Sequence, residues 1–105
     1  MKQRGEFMLR ITTFENGQIA TLRLEGRLVG DWVGELERCW IRIKNANHKR
    51  KLKVDLTDVE FVDERGEELL ERAFLEGAEL DADNLFLRSV ISDIAERSKA
   101  GHEKH

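Results

Sequence analysis

The segment from Lys51 to Leu70 hands a strand directly to a helix across an acidic turn that contains a glycine. Leu52, Val54 and Leu56 alternate with Lys51, Lys53 and Asp55, which is the two-residue period of a strand. Val59, Phe61 and Val62 then lead into Asp63-Glu64-Arg65-Gly66. Beyond the turn the period lengthens, so that Leu69, Leu70, Ala73 and Phe74 share one helix face, and Gly77 closes the helix. Glu64, Glu67, Glu68 and Glu71 fill its first two turns, where the helix dipole favours negative charge by ~0.3–1 kcal/mol each. A strand leading straight into a helix that must pack back over it calls for an α/β architecture.

The flanking sequence supplies the remaining elements. Leu9 and Ile11 alternate with Arg10 and Thr12 as a first strand, and Glu15-Asn16-Gly17-Gln18 is a hairpin turn because Asn-Gly accommodates positive φ. Ile19 to Glu25 forms the second strand, with Ala20, Leu22 and Leu24 on one face and Gly26 ending the run. From Asp31, as N-cap, Val33, Leu36, Trp40 and Ile43 mark an amphipathic helix that ends near Asn45-Ala46-Asn47, with Trp32 and Cys39 widening its stripe. Trp32, close to the helix start, is better placed for surface contact than Trp40. Ala78, Leu80 and Ala82 give a short fourth strand, and Asp83 or Asn84 caps a third helix with Leu87, Val90, Ile91 and Ile94 inward. The order is ββαβαβα: a mixed β-sheet with an antiparallel opening hairpin, three helices and right-handed crossovers. Leu52, Val54 and Leu56 are expected to be buried with Leu22, Leu24, Leu36, Leu69 and Ile91. One domain, 8–97, is expected, with 1–7 and 98–105 as flexible termini.

With 40% hydrophobic and 37% charged residues, the chain has enough apolar material for a core but no run that spans a bilayer, which points to the cytoplasm. The single Cys39 forms no internal disulfide and offers no zinc-ligand spacing; a packed thiol is expected. From Arg42 to Lys53 there are six basic and no acidic residues, whereas Asp55 to Asp83 holds twelve acidic residues against Arg65 and Arg72. An acidic surface around the central turn repels nucleic-acid phosphates and suits a basic protein partner. The basic run from Lys49 to Lys53 has no interleaved aromatics for base stacking.

No constellation of catalytic or metal-ligating type emerges from spacing. His48, His102 and His105 have no partner at ligand spacing. Asp55, Asp58, Glu60 and Asp63 lack the calcium-loop pattern and read as a solvated rim. Thr57, Ser89 and Ser92 have no histidine nearby in sequence to act as a base. Gly26, Gly30 and Gly34 recur without a phosphate-loop motif. No cofactor is implied.

The run Val54-Asp55-Leu56-Thr57-Asp58-Val59-Glu60-Phe61-Val62-Asp63 resembles the signature of the STAS domain family, which includes the anti-sigma-factor antagonists. In that family a strand of the form V/L-D-L-S/T-x-V-x-F-x-D delivers an Asp-Ser-Ser/Thr-Gly turn that opens a helix. Asp63 and Gly66 stand where that turn's Asp and Gly do, and the element order agrees from about Met8 to Arg97. The family's regulated members are phosphorylated on the first hydroxyl residue of the turn; Glu64 occupies that place, with Arg65 next to it, so no phosphoacceptor is present. The resemblance implies a non-catalytic regulatory module in signalling and transcription regulation, whose partner is an anti-sigma factor or serine-kinase-like regulator. The partner-binding residues implied are Asp63, Glu64, Arg65, Gly66, Glu67 and Glu68. It leaves open an accessory subunit of an ABC-type transport assembly, docking on the transporter ATPase, or a nucleotide-binding acidic-pocket domain.

Overall fold

The structure is a computed structural model that describes residues 9–46 and 50–103, the last five by backbone alone. The expectations for 1–7, Met8, Asn47, His48, Lys49 and His105, and for the side chain of His102, fall outside the described residues. The elements are β1 (Arg10–Glu15), β2 (Ile19–Leu28), α1 (Asp31–Ala46), β3 (Lys51–Val62), α2 (Glu64–Leu75), β4 (Glu79–Asp81) and α3 (Leu85–Glu103). They form one sheet of order β1-β2-β3-β4, antiparallel between β1 and β2 and parallel thereafter. The expected ββαβαβα order and mixed α/β sheet are therefore present, with β3 inside the sheet. α3 runs past Arg97, the expected end of the domain, to Glu103.

The strand alternation decides which face is covered. Ala20, Leu22 and Leu24 of β2 and Val54 and Leu56 of β3 are buried. Over them lie Val33, Leu36, Trp40 and Ile43 of α1, Leu69, Leu70 and Ala73 of α2, and Leu87, Val90 and Ile94 of α3. Leu52 and Ile91, expected in this set, are only half-buried. Leu52 precedes the stretch of β3 that β4 covers, which begins at Lys53, and Ile91 lies on the flank of the α3 stripe. On the other face Arg23 bonds Asp58 at 2.6 Å and Lys53 approaches Asp81 at 3.7 Å. Such exposed pairs contribute little to stability.

Three local expectations are corrected. Gly26 does not end β2: the strand passes through it at φ 115° and continues to Leu28, with register shifts against β3 on either side. A bulge at a residue free to adopt positive φ bends the strand without terminating it. The β1–β2 hairpin forms, but Gly17 is not at positive φ; the Asn16 carboxamide closes the turn by accepting the Gln18 and Ile19 amides, both at 2.8 Å. Asp31 is the first helical residue rather than a cap, and α1 opens instead through Gly30 at φ 55°, whose carbonyl accepts the Val33 amide at 3.1 Å.

Helix ends elsewhere follow sequence closely. Gly77, at φ 103°, donates to Phe74 O at 3.0 Å and Ala78 donates to Ala73 O at 2.9 Å, the paired bonds of a Schellman ending for α2. Of the two candidate caps for α3, Asn84 is used: its Oδ1 accepts the Leu87 amide at 2.7 Å. Its Nδ2 donates to Val59 O at 3.1 Å, which satisfies the edge of β3 beyond the end of β4.

Candidate functional site

At the C-terminal end of β3 the chain turns through Asp63 into α2, and Asp63 ties three elements together. Its backbone N–H donates to Leu28 O of β2 at 3.1 Å. Oδ1 accepts the Gly66 amide at 2.8 Å, capping α2, and Oδ2 accepts the Gly30 amide at 2.9 Å in the loop between β2 and α1. Asp63 is the cap because its extended backbone, at ψ −178°, points the carboxylate back at the first turn. A short carboxylate at this position meets donors that the first turn of any helix leaves unpaired. The Asp63 side chain is thereby committed to holding the turn.

Gly66 is committed in a different way. A methyl group there would lie 2.8 Å from both Leu28 O and Val62 Cγ1, so only hydrogen allows α2 to approach the β2 end this closely. Of the six residues singled out in sequence, Gly66 is buried, Asp63 and Glu67 are half-buried, and Glu64, Arg65 and Glu68 are exposed. The turn, held by these bonds and this close approach, presents Glu64, Arg65 and Glu68 outward at the positive end of the helix dipole.

Arg65 stands between two open clefts. One, of about 730 Å³, lies against the first turns of α1 and includes Gly30, Trp32, Glu35 and Arg38. The other, of about 510 Å³, runs between α1 and α2 past Val33, Glu37, Glu68 and Leu75. Arg72 crosses it to Glu37 at 2.7 Å. Trp32, expected to make surface contact, lines the first cleft while packing partly against the core.

Beyond the turn, toward α3, is a feature the sequence reading missed. Phe61 and Phe86 stack with centroids 5.8 Å apart and planes 4° from parallel, and Arg27 lies over Phe61 at 5.3 Å. Leu85 beside them is 82% exposed. Phe61 is at an outward position of β3 and Phe86 at the outer face of the first turn of α3. The available signal was the apolar pair Leu85-Phe86 directly after a helix cap, outside the Leu87-Val90-Ile94 stripe.

Two more carboxylates of the rim, Asp58 and Asp55, have local partners. Asp58 accepts from Arg23, which raises the guanidinium's affinity for its proton above the ordinary value. Burial alone would push the Asp55 carboxyl up, but hydrogen bonds from Thr57 and the charges of Arg23 and Lys53 outweigh it and hold the group below the usual carboxylate range. Among the described residues no group of three or more His, Cys, Asp or Glu converges on a metal-sized site. Cys39 is half-buried against the core, with Arg42 Nη2 3.9 Å from its sulfur. No described helix is long and apolar enough to cross a membrane.

No protein-family model matches the sequence, and no curated protein matches it significantly. Solved structures do match the fold. A crystal structure of an anti-sigma factor antagonist from Mycobacterium paratuberculosis superimposes with TM-score 0.75 at 15% identity, covering 88% of this chain and 82% of that one. A crystal structure of Mglu gives 0.54 at 16% identity, over 70% of this chain and 19% of that one. An antisigma-factor antagonist STAS domain from Rhodobacter sphaeroides gives 0.49 at 18% identity, over 70% and 84%. The ββαβαβα order, the mixed four-stranded sheet and the first of these superpositions make the fold STAS-like.

Proposed function

We propose that this STAS-like domain is a non-catalytic regulatory module that binds another protein through the turn from Asp63 to Glu68, in the manner of an anti-sigma-factor antagonist. The observation that carries this reading is the division of labour in the turn: Asp63 and Gly66 lock it, while Glu64, Arg65 and Glu68 are left exposed. A pre-formed surface loses little conformational freedom when a partner arrives. Its carboxylates steer a basic partner surface and raise the association rate at low salt. The Phe61–Phe86 ledge and the clefts beside Arg65 flank the turn and supply apolar and shaped surface.

The resemblance of the turn and the likeness of the fold to a structure described as an anti-sigma factor antagonist support a regulator with serine-kinase activity as the partner. The setting would then be transcription signalling in the cytoplasm. Glu64 changes the regulation. It brings about one negative charge where a phosphate would bring roughly −1.5 to −2, so it is a permanent and weaker version of the modified state.

The test is charge reversal on the exposed face. Glu68→Lys, at an exposed position, is expected to weaken binding to an anti-sigma factor of the serine-kinase type while leaving the urea unfolding curve almost unchanged. Unaltered affinity with a flat salt dependence places the contact elsewhere.

A further inference from the structure

Phe61 lies two residues before Asp63, at the end of β3, so the ledge it forms with Phe86 carries the surface of the turn on toward α3. The ledge leaves apolar groups in water that the fold does not use. Phe61 is 39% exposed, Phe86 46% and Leu85 82%, while Val59 and Val62 of β3 and Leu87, Val90 and Ile94 of α3 supply the buried stripes. Their positions are fixed nonetheless. Asn84 caps α3 through the Leu87 amide and donates to Val59 O, which ties the start of α3 to β3, and Arg27 lies over the Phe61 ring. An apolar surface set in place this way loses little conformational freedom when it is covered.

Area and charge decide what covers it. With about 200 Å² for each fully exposed residue, the three leave roughly 300 Å² of mostly apolar surface in water. A patch of this size on one chain is often functional. It falls well short of the ~800 Å² per partner that a stable specific interface needs, so the ledge by itself does not hold two copies of this chain together. Joined to the turn, it has the form of an apolar interface centre with a polar rim. Glu60, Glu64 and Asp83 are exposed around it, against Arg27, which is held on Phe61, and Arg88, one turn along α3. A second copy would bring these carboxylates together, whereas basic residues match them. We propose that the ledge of Phe61, Phe86 and Leu85 is the anchor of the docking surface and takes an apolar side chain of a partner protein, flanked by basic residues that face Glu60, Glu64 and Asp83. The inference rests on the turn being a docking site. In it the carboxylates govern how fast the partner arrives, and the ledge governs how long it stays.

The test separates the two rates. Binding of an anti-sigma factor of the serine-kinase type to immobilised native protein and variants is followed by surface plasmon resonance at low and high salt. Leu85→Ser and Phe86→Ala are each expected to raise the dissociation rate about tenfold, the loss for one buried apolar side chain, with association within about twofold of native. Leu85→Ser should leave the urea midpoint near the native value, because Leu85 makes little of the core. Glu68→Lys is expected to slow association at low salt and leave dissociation nearly unchanged. Native dissociation rates in both ledge variants, with slower association in Glu68→Lys, overturn the anchor and leave the docking turn standing. No effect in any of the three variants removes the docking reading and the anchor with it. A dimer of native protein in sedimentation equilibrium that is lost in Leu85→Ser assigns the ledge to a second copy and overturns the proposal as well.

Discussion

Asp63 Oδ2 accepts the backbone N–H of Gly30 at 2.9 Å, joining the end of β3 to the loop that opens α1 across more than thirty residues of sequence. Since Oδ1 of the same carboxylate caps α2 through the Gly66 amide, one side chain fixes the relative position of two helix entrances. Asp63→Ala is expected to lower stability by about 1–3 kcal/mol, the range for a lost cap together with a part-buried amide left unpaired. Asp63→Asn keeps one acceptor oxygen and is expected to cost less. Urea denaturation of the two variants checks the order; equal, small effects would mean that the turn is held by backbone bonds alone.

Gly66 and Gly34 are both helical glycines, yet alanine should act on them in opposite directions. At Gly34 the nearest atom to an added methyl is Arg38 Nη1 at 3.9 Å, so Gly34→Ala is expected to stabilise the protein by about 0.5–1 kcal/mol through helix propensity. At Gly66 the methyl would meet Leu28 O and Val62 Cγ1 at 2.8 Å. The displacement needed is expected to outweigh the propensity gain and give a net loss of about 1–3 kcal/mol. Thermal unfolding of both variants reads the two signs.

The interior position of β3 makes Val54 the most exacting test of the core. Val54 is 2% exposed, with β2 on one side and β4 on the other. Val54→Asp buries an unpaired charge and is expected to cost several kcal/mol, on the order of the whole stability of a small domain. A Val54→Asp protein that still unfolds cooperatively would contradict the core assignment.

Acid sensitivity should trace in part to Asp55. Burial works against its charged form, but the Thr57 hydrogen bonds and the charges of Arg23 and Lys53 leave its native pKa below the ordinary value. A carboxylate shifted in this direction stabilises the fold when ionised. The contribution is complete above about pH 4–5 and disappears as pH falls through the lowered native pKa. The urea midpoint of native protein should therefore drop more steeply between about pH 5 and 2 than that of Asp55→Asn; parallel acid limbs would assign the effect to other groups.

The strands and helices were legible because the chain states its periods plainly: Leu52-Val54-Leu56 at spacing two, then Leu69-Leu70-Ala73 on one helical face. The frame of the turn was legible only through the resemblance that placed Asp63 and Gly66; the cap Asp63 makes is local, whereas the approach of Gly66 to Leu28 O joins residues remote in sequence. Gly26 was misread because glycine both ends strands and permits bulges, and only pairing with β3 distinguishes the two. The Phe61–Phe86 stack and the bond from Asp63 to Gly30 join residues remote in sequence, which no local period encodes.

The central proposal is that the turn from Asp63 to Glu68 docks a partner and that the side chain at position 64 sets the binding state. Glu64 is exposed at the start of α2, beside the cap, where substitution disturbs no packing. The direct measurement is the affinity of an anti-sigma factor of the serine-kinase type for native protein and for Glu64→Ser, before and after incubation with ATP, with any phosphate located by mass spectrometry. The account predicts that native protein stays unmodified in the turn, that Glu64→Ser binds more tightly, and that phosphorylation of the new serine reverses the gain. Equal affinities for the two proteins, or phosphate on Thr57 or another hydroxyl of the native chain, would contradict it.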